Sequence, residues 1–388
     1  MNPLLSIVIP TKNRYFYLEN FVKSFVAFES SEIELVIQDN SDIQSVEFLD
    51  YLESVNDKRI KYNYSKDSLS MVENCDRSIE LALGEYVCML GDDDGVLFEI
   101  SMDVVKFCIN NKYEAAIVNK AEYYWPETSH AVWKDLLAGK VFYKDYKFHT
   151  KKISVNDELS NVLREGSAWS LGLLPRVYHG FVKKEKLDEL RQISGSYFPG
   201  PSPDMANAIG LAKVVKHLIE IDVPAVISGH SKKSGGGMGG EKKHHGKIED
   251  QPFLPKDTIR QWSSNIPRFW SGATIYATSA REALNRTDNS KDYKLNYTYL
   301  WAFCLVFEPS YMKEVFSVIS KNPLQIPLLS VYVFNLTTFR AFNYISNYFK
   351  FNNKSNLSIS AKDIFESQNA LNNLLHNKVI FVSGTKIK

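Results

Sequence analysis

The sequence predicts an α/β fold with a mainly parallel central sheet, followed by a helical C-terminal region. Three apolar runs, residues 4–9, 33–37 and 86–90, each end in a polar turn, which is typical of strands buried on both faces of a parallel sheet. Between them lie stretches with apolar residues three and four apart, as in crossover helices. Beyond Pro255 only the helical spacing remains.

The composition indicates a globular protein and excludes some partners. A chain of 388 residues predicts roughly two to three domains. Lys and Arg number 46 against 45 Asp and Glu, so no overall positive field favours a nucleic acid. The four cysteines lie in apolar settings without metal-ligand spacing, which favours reduced thiols and a cytoplasmic protein. We expect neither a signal peptide nor a transmembrane helix.

The first two predicted strands end in polar residues. Residues 4–9 form the first strand, and the turn at residues 11–14 leads into a helix for which Asn13 fits the cap. Residues 33–37 form the second strand, which ends at Asp39. Because carboxyl ends of parallel strands lie at one edge of a sheet, both turns should face the same side.

The rest of the first half follows the same alternation. Residues 59–64 predict a third, more exposed strand, and Ser70 with Glu73 predicts a capping box at the start of the next helix. That helix precedes the buried strand at residues 86–90. A further helix near residues 97–109 and a strand at 115–118 complete this half.

The strand at residues 86–90 ends in three consecutive carboxylates, Asp92, Asp93 and Asp94, between Gly91 and Gly95. Ligands bind outside the carboxyl ends of strands in open α/β sheets. Adjacent carboxylates repel one another unless they are solvated or share a cation, and hard oxygen ligands suit Mg²⁺ or Mn²⁺. The alternative is a solvated acidic turn.

The second half is less regular. Residues 121–174 scatter aromatic side chains among polar ones, which fits either sugar stacking or surface packing. A strand is predicted at residues 177–182 and a helix from residue 184. Ser202, Pro203 and Asp204 then suit the cap and first two positions of another helix. The helix dipole favours an acid there whatever its role, so Asp204 has a structural as well as a catalytic interpretation.

A last strand at residues 223–228 leads into a glycine-rich segment, residues 229–246. It is either a linker or a lid whose lysines and histidines close on phosphates. We therefore divide the chain into a domain at residues 1–246, with a first half at about 1–120 and a second half at about 121–246, and a helical region at residues 247–388.

The helical region contains an unusual segment. The predicted helices there are residues 259–286, interrupted at Pro267, and residues 297–307, 311–319, 328–349 and 361–375. Residues 328–344 are rich in aromatic side chains and carry little charge. This is compatible with an interfacial membrane contact, although it is more typical of a core helix or of a helix that joins copies of the chain in a homo-oligomer.

Three segments at residues 6–14, 37–41 and 82–94, followed by Asp204, closely resemble family 2 glycosyltransferases of the GT-A fold. The resemblance covers about residues 3–240, and it implies that the half at about 1–120 binds the nucleotide sugar and the half at about 121–246 binds the acceptor. It implies an inverting transfer of a sugar from a nucleotide-diphosphate donor to a hydroxyl of a glycan or lipid-linked glycan. The setting it implies is the assembly of a cell-surface polysaccharide or lipopolysaccharide.

The resemblance also implies roles for individual residues. Nucleotide-sugar binding falls to Asp39, which would accept a hydrogen bond from the base, to Asp92 at the ribose, to Asp93, and to the first turn, whose members are Pro10, Thr11, Asn13 and Arg14. A divalent cation, Mn²⁺ or Mg²⁺, would bind Asp93 or Asp94. Asp204 would be the general base. Family members commonly have Asp at the position of Gly91, so the register of the acidic motif is open.

Chemistry supports this set of residues. A bound cation neutralises the departing diphosphate, and an ionised carboxylate takes the proton of the incoming hydroxyl.

A sugar-phosphate nucleotidyltransferase would need a glycine-rich phosphate loop after Ile9, and a phosphatase would need an Asp nucleophile where Pro10 and Thr11 stand. A non-catalytic nucleotide-sugar-binding protein remains an alternative. Without Asp204, the next candidates for the base are His230, His244 and His245.

Overall fold

The computed structural model describes residues 2–128, 136–232, 245–251, 253–288, 291–351 and 357–379. The strands are β1 (Leu5–Thr11), β2 (Ile33–Asp39), β3 (Ile60–Tyr64), β4 (Tyr86–Met89), β5 (Gly95–Val96), β6 (Ala115–Tyr124), β7 (Lys140–Tyr143), β8 (Thr150–Ile153), β9 (Gly180–Lys183), β10 (Leu218–His230) and β11 (Leu357–Ser360). The helices are α1 (Tyr15–Val26), α2 (Val46–Val55), α3 (Met71–Glu80), α4 (Phe98–Asn111), α5 (Val155–Arg164), α6 (Lys184–Ser194), α7 (Pro203–Leu211), α8 (Thr258–Gln261), α9 (Gly272–Thr287), α10 (Tyr297–Phe307), α11 (Met312–Ile319), α12 (Ile326–Phe351) and α13 (Ile364–Val379).

One sheet organises the described residues, with the strand order β11-β7-β6-β9-β4-β1-β2-β3. The four N-terminal strands β3, β2, β1 and β4 are parallel, and β1, β2 and β4 are almost completely buried. In the other half β9 runs antiparallel between β4 and β6, while the long β10 pairs in parallel with β6. The predicted α/β class with a parallel centre is confirmed, and each antiparallel pair includes at least one strand from residues 121–246.

The register of the parallel strands sets the position of the polar turns. Thr11, the last residue of β1, lies opposite Asp39, the last residue of β2. The predicted capping box of Ser70 and Glu73 is present at the start of α3. The predicted cap at Asn13 is wrong. Asn13 adopts a left-handed conformation with φ 59°, and Arg14 occupies the cap position of α1 without a side-chain hydrogen bond.

Most of the other differences from the sequence prediction lie in residues 121–246. The stretch predicted as irregular contains β7, β8 and α5, and β6 continues to Tyr124. The strand predicted from residue 177 begins only at Gly180, because His179 has φ 59° and breaks the extended conformation. In the first half, α2 was not predicted.

The C-terminal residues pack on the sheet domain. Helices α7, α9 and α10 contribute to one hydrophobic core, which includes Met205, Ala277 and Leu300. Strand β11, which was not predicted, pairs with β7, and α13 packs against α1. The division of the chain near residue 246 stays a prediction. No helix in the described ranges is long and apolar enough to cross a membrane.

Candidate active site

The site forms where β1, β2 and β4 end. Strand β4 stops at Met89, and the acidic turn at residues 91–95 follows it directly. The Thr11 hydroxyl donates a hydrogen bond to Asp92 Oδ2 at 2.6 Å, so the end of β1 fixes one side of the turn. Asp92, Asp93 and Asp94 are all buried. Burying three carboxylates costs hydration free energy, for which hydrogen-bond donors or positive charges within the protein must compensate.

Arg14 supplies part of that compensation. Its Nε lies 2.7 Å from Asp92 Oδ1, and its Nη2 lies 2.9 Å from Asp93 Oδ2. Nη2 also donates to Ser231 Oγ at 2.7 Å, which ties the turn to the end of β10. Burial raises the pKa values of Asp92 and Asp93, and Arg14 opposes this rise. Burial acts to lower the pKa of Arg14, but the two carboxylates outweigh it and raise that pKa.

Asp94 is held by a different set of donors. Its Oδ2 lies 2.7 Å from His179 Nε2 and accepts from the Tyr178 hydroxyl at 3.1 Å and from the Gly91 amide at 2.7 Å. Its Oδ1 accepts from the Gly229 amide at 2.7 Å. Burial acts to raise the pKa of Asp94, but His179 and the two amides outweigh it, so the pKa is lowered.

The close approach of β10 to the turn requires a glycine at residue 229. A Cβ placed there would lie 1.8 Å from the carbonyl oxygen of Asp93. The neighbouring Ser231 amide donates to Asp93 Oδ2 at 3.1 Å, and the indole of Trp125 donates to the Asp93 carbonyl at 3.0 Å. The backbone of β10 therefore forms one wall of the site.

Asp39, the last residue of β2, is held mainly by hydroxyl groups. Tyr15 and Tyr62 each donate to its Oδ2 at 2.6 Å, and the Ser41 amide donates to Oδ1 at 2.8 Å. Burial and the hydrogen bond to Asp39 raise the pKa values of both tyrosines. Asp39 is 0% exposed, so a nucleotide base could reach it only if a tyrosine hydroxyl gave way.

The first turn is fastened to the loop after β2. The Asn13 amide donates to Ser41 Oγ at 2.7 Å, its side chain donates to Asp42 at 2.7 Å, and the Asp42 amide donates back at 3.0 Å. Pro10, near the end of β1, is partly exposed. The structure thus brings the predicted residues of the first turn together with Asp39 and the acidic turn.

Asp204 is the second residue of α7, as predicted, and it is partly exposed. Among the described residues its carboxylate has no hydrogen bond or ion pair. Its surroundings raise its pKa. Burial is the main cause, the positive charges of His179, Arg176 and Lys120 oppose it, and Asp94 adds to the rise. His179 therefore acts electrostatically on both Asp94 and Asp204.

A divalent cation fits this site only in part. Hard carboxylate oxygens are suitable ligands, but both oxygens of Asp92 and both of Asp94 already have partners. Of the contacts between described residues, none involves Asp93 Oδ1, so Asp93 has an oxygen to offer. The described ranges contain no group of three or more His, Cys, Asp or Glu side chains arranged to share an ion.

Several site residues were missed from the sequence. Tyr178 and His179 carry no local signal, because polar side chains next to apolar ones fit an ordinary strand, and Ser231 is one of many polar residues in its segment. His230 stacks on Tyr124 and lies 2.5 Å from Glu122, while His245 lies 3.1 Å from Glu308. His244 and the other residues at 233–244 of the glycine-rich segment lie outside the described residues.

With this geometry in place, comparison with known proteins shows which family model the N-terminal part of the chain matches. The family described as "Glycosyl transferase family 2" matches residues 6–158, which include the first turn, Asp39 and the acidic turn. The match covers all three segments on which the predicted resemblance to family 2 glycosyltransferases rests.

Two curated relatives are similar to this chain over a shorter stretch. A protein of Escherichia coli (strain K12), named as a colanic acid biosynthesis glycosyl transferase, WcaA, is 32% identical over 93 residues, 24% of this chain and 33% of the relative. A Campylobacter jejuni protein named GalNAc(5)-diNAcBac-PP-undecaprenol beta-1,3-glucosyltransferase is 30% identical over 99 residues, 24% of this chain and 31% of the relative. The match thus spans about a third of each relative.

Solved structures of S. aureus TarS are also similar. TarS 1-349 has a TM-score of 0.45 and 12% identity, with 88% of this chain and 91% of that chain covered. Its complex with UDP-GlcNAc has a TM-score of 0.44 and 16% identity, with 61% of this chain and 60% of that chain covered.

Proposed function

We propose that the chain is an inverting glycosyltransferase that moves a sugar from a nucleoside-diphosphate donor to a hydroxyl acceptor. One observation carries the proposal. In the segment that matches the glycosyltransferase family, the carboxylates at the ends of β2 and β4 are held in place, while Asp204, which is near enough to Asp94 for their charges to interact, has no hydrogen bond to a described residue. Such an arrangement combines a fixed donor site with a proton acceptor.

We assign donor binding to the N-terminal half. The first turn, with Pro10, Thr11, Asn13 and Arg14, would line the nucleotide. Asp39 would contact the base and Asp92 the ribose. Arg14 is positively charged and lies beside the acidic turn. Its guanidinium would also bind the diphosphate once it has separated from Asp92 and Asp93.

We place a divalent cation, Mn²⁺ or Mg²⁺, at Asp93. When bound, such an ion would neutralise the charge of the departing diphosphate. Asp94 was predicted as a ligand together with Asp93, but its oxygens hold His179 and the Gly229 amide. We therefore favour Asp93 for the ion and assign Asp94 the task of fixing His179.

We assign proton transfer to Asp204. Its carboxylate would take the proton of the acceptor hydroxyl as that oxygen forms a bond to the anomeric carbon. The bond from the same carbon to the diphosphate breaks on the opposite face, so one displacement inverts the configuration. The raised pKa of Asp204 supports this assignment, because a base with a higher pKa binds the transferred proton more strongly.

We propose cell-surface polysaccharide or lipopolysaccharide assembly as the setting, with a glycan or lipid-linked glycan as acceptor. The names of both relatives support a role of this kind. We place the reaction in the cytoplasm, because the four cysteines are buried free thiols, as expected in a reducing compartment.

The test is release of free nucleoside diphosphate from a panel of nucleotide sugars, with Mn²⁺ and candidate glycan acceptors, by the wild-type protein and by Asp93→Asn. We expect acceptor-dependent release by the wild type and a strongly reduced rate in the variant. Donor binding without release would favour a non-catalytic binding protein. Pyrophosphate release from a nucleoside triphosphate and a sugar phosphate would favour a nucleotidyltransferase.

A further inference from the structure

Helix α12 exposes a large apolar surface. It packs on α10 through its buried side, which includes Leu329 and Leu336. Its other sides, with the turn before it, also carry large exposed apolar side chains: Leu324, Ile326, Leu328, Val331, Phe334, Phe339, Phe342 and Tyr344. Phe334 is 71% exposed and Phe342 is 68% exposed. A helix that is apolar on its solvent side as well as its packed side indicates a surface with a partner.

This surface, which we call the α12 face, continues onto an aromatic cluster. Trp169 is 39% exposed, and its ring lies edge-on to Phe339 with 5.7 Å between centroids. It also contacts Phe303 and Phe307. The guanidinium of Arg340 lies 5.4 Å from the centre of the Phe307 ring. Trp and Arg at the rim of an apolar surface are typical of the boundary between lipid and water.

The charge of this part of the chain has one sign. Residues 322–339 contain no charged side chain, and residues 315–362 contain no Asp or Glu but five basic residues: Lys321, Arg340, Lys350, Lys354 and Lys362. The chain as a whole has nearly equal numbers of acids and bases. The absence of acidic residues is therefore particular to this stretch of the sequence, which includes the exposed apolar helix α12.

These charges favour one kind of partner. A two-fold contact between copies through the α12 face would bring Arg340 of each copy towards the other, and residues 315–362 offer no acid to pair with it; Lys362 already pairs with Glu366 of its own chain. An anionic lipid surface instead offers negative head groups to the basic residues and an apolar layer to the aromatic side chains.

We propose that the α12 face binds an anionic membrane surface, with α12 lying in the plane of the interface. Phe334, Phe342 and their neighbours enter the boundary between head groups and acyl chains, and Arg340 stays at head-group level. The proposal requires no donor or acceptor, so it stands or fails independently of the glycosyltransferase activity.

The test is flotation of the full-length protein with phosphatidylcholine vesicles that do or do not contain 30% phosphatidylglycerol, at about 0.1 M and 0.5 M NaCl. We expect the wild type to float with the anionic vesicles and to bind at least about tenfold less at the higher salt or without phosphatidylglycerol. The same fraction of floating protein in all samples, or none in any, would overturn the proposal.

Two substitutions locate the contact. Phe334→Glu with Phe342→Glu should reduce binding to the anionic vesicles at least about tenfold, because two aromatic side chains that would enter the interface are lost and two acids are added. Val46→Glu, which changes an exposed apolar residue of α2, should bind like the wild type. Unchanged melting temperatures establish that the variants are folded. Undiminished binding by the double variant would contradict the proposed face, as would light scattering that shows an oligomer dispersed by it without any vesicle binding.

Discussion

Asp94 and Asp204 are both influenced by His179, yet their environments differ. Asp94 is buried and accepts hydrogen bonds from the Gly91 and Gly229 amides and from Tyr178, with His179 Nε2 at 2.7 Å. Asp204 is partly exposed and has no such bond to a described residue. The pKa of Asp94 is lowered and that of Asp204 is raised.

The difference assigns different tasks to the two carboxylates. Neighbouring acids whose pKa values are pushed apart commonly divide into a fixed charge and a group that exchanges protons. Asp94 has its oxygens committed and keeps its charge, so it orients His179 and the end of β10. Asp204 has no hydrogen bond to a described residue, and its raised pKa means that it binds a proton more readily. We therefore infer that Asp204, not Asp94, takes the acceptor's proton.

The largest expected effect is on catalysis by Asp204→Asn. Turnover with saturating donor and acceptor should fall about 10²- to 10⁴-fold, because the proton acceptor is removed while the shape is kept. Donor affinity and melting temperature should change little. The matched control is Asp157→Asn, which removes an acid from the first turn of α5. Near-normal turnover of Asp204→Asn would leave Asp204 with only a helix-terminal role, worth about 1 kcal/mol of stability.

The next effect is on stability. Asp94→Asn should lower the free energy of unfolding at pH 7 by about 2–3 kcal/mol, because the charge held by His179 and two amides is lost. The folded pKa of Asp94 is depressed, so its stabilisation is present above the unfolded pKa of about 3.9 and is lost as the pH falls through the lower folded value. Urea unfolding of both proteins from pH 7 to pH 3 should show the difference shrinking at the acid end. A constant difference would contradict the assignment.

A smaller effect distinguishes Asp93 from Asp94 as a cation ligand. In the presence of a nucleoside diphosphate, Asp93→Asn should weaken Mn²⁺ binding at least about tenfold, since a ligand should matter no less than an outer-shell partner. Asp94→Asn should bind Mn²⁺ nearly as well as the wild type. Electron paramagnetic resonance of free Mn²⁺ measures both. The reverse order of affinities would assign the ion to Asp94.

The smallest effect concerns Asp39, which accepts hydrogen bonds from two tyrosine hydroxyls and from the Ser41 amide. Asp39→Asn should weaken donor binding about tenfold through the loss of one charged hydrogen bond, with turnover at saturating donor almost unchanged. Tyr62→Phe serves as a control, because it removes a donor to Asp39 without removing the carboxylate. Calorimetry with the nucleoside diphosphate measures the affinity. Unchanged affinity in Asp39→Asn would exclude a role in recognising the base.

The parallel half of the sheet could be predicted because its signals are local. Strands β1, β2 and β4 are continuous apolar runs, and the polar residues that end them lie at one edge by the geometry of a parallel sheet. The Ser-Pro-Asp sequence likewise placed Asp204 at the start of α7.

The remaining parts of the site depend on contacts between distant residues. Arg14 and Ser231 are 217 positions apart in the sequence. Strand β11 likewise pairs with β7, which precedes it by more than two hundred residues. His179 has φ 59°, a conformation that its neighbours in the fold impose and that an apolar run does not predict. The pairing of His179 with Asp94 therefore became visible only in three dimensions.

The most direct test of the assignment to Asp204 is the pH dependence of kcat/KM in the wild type, Asp94→Asn and Asp204→Asn. The raised pKa of Asp204 predicts that the wild-type rate falls with decreasing pH along a limb centred above the ordinary Asp value of about 3.9. This limb should remain in Asp94→Asn and disappear from the residual activity of Asp204→Asn. A limb that persists in Asp204→Asn and disappears in Asp94→Asn would contradict the account.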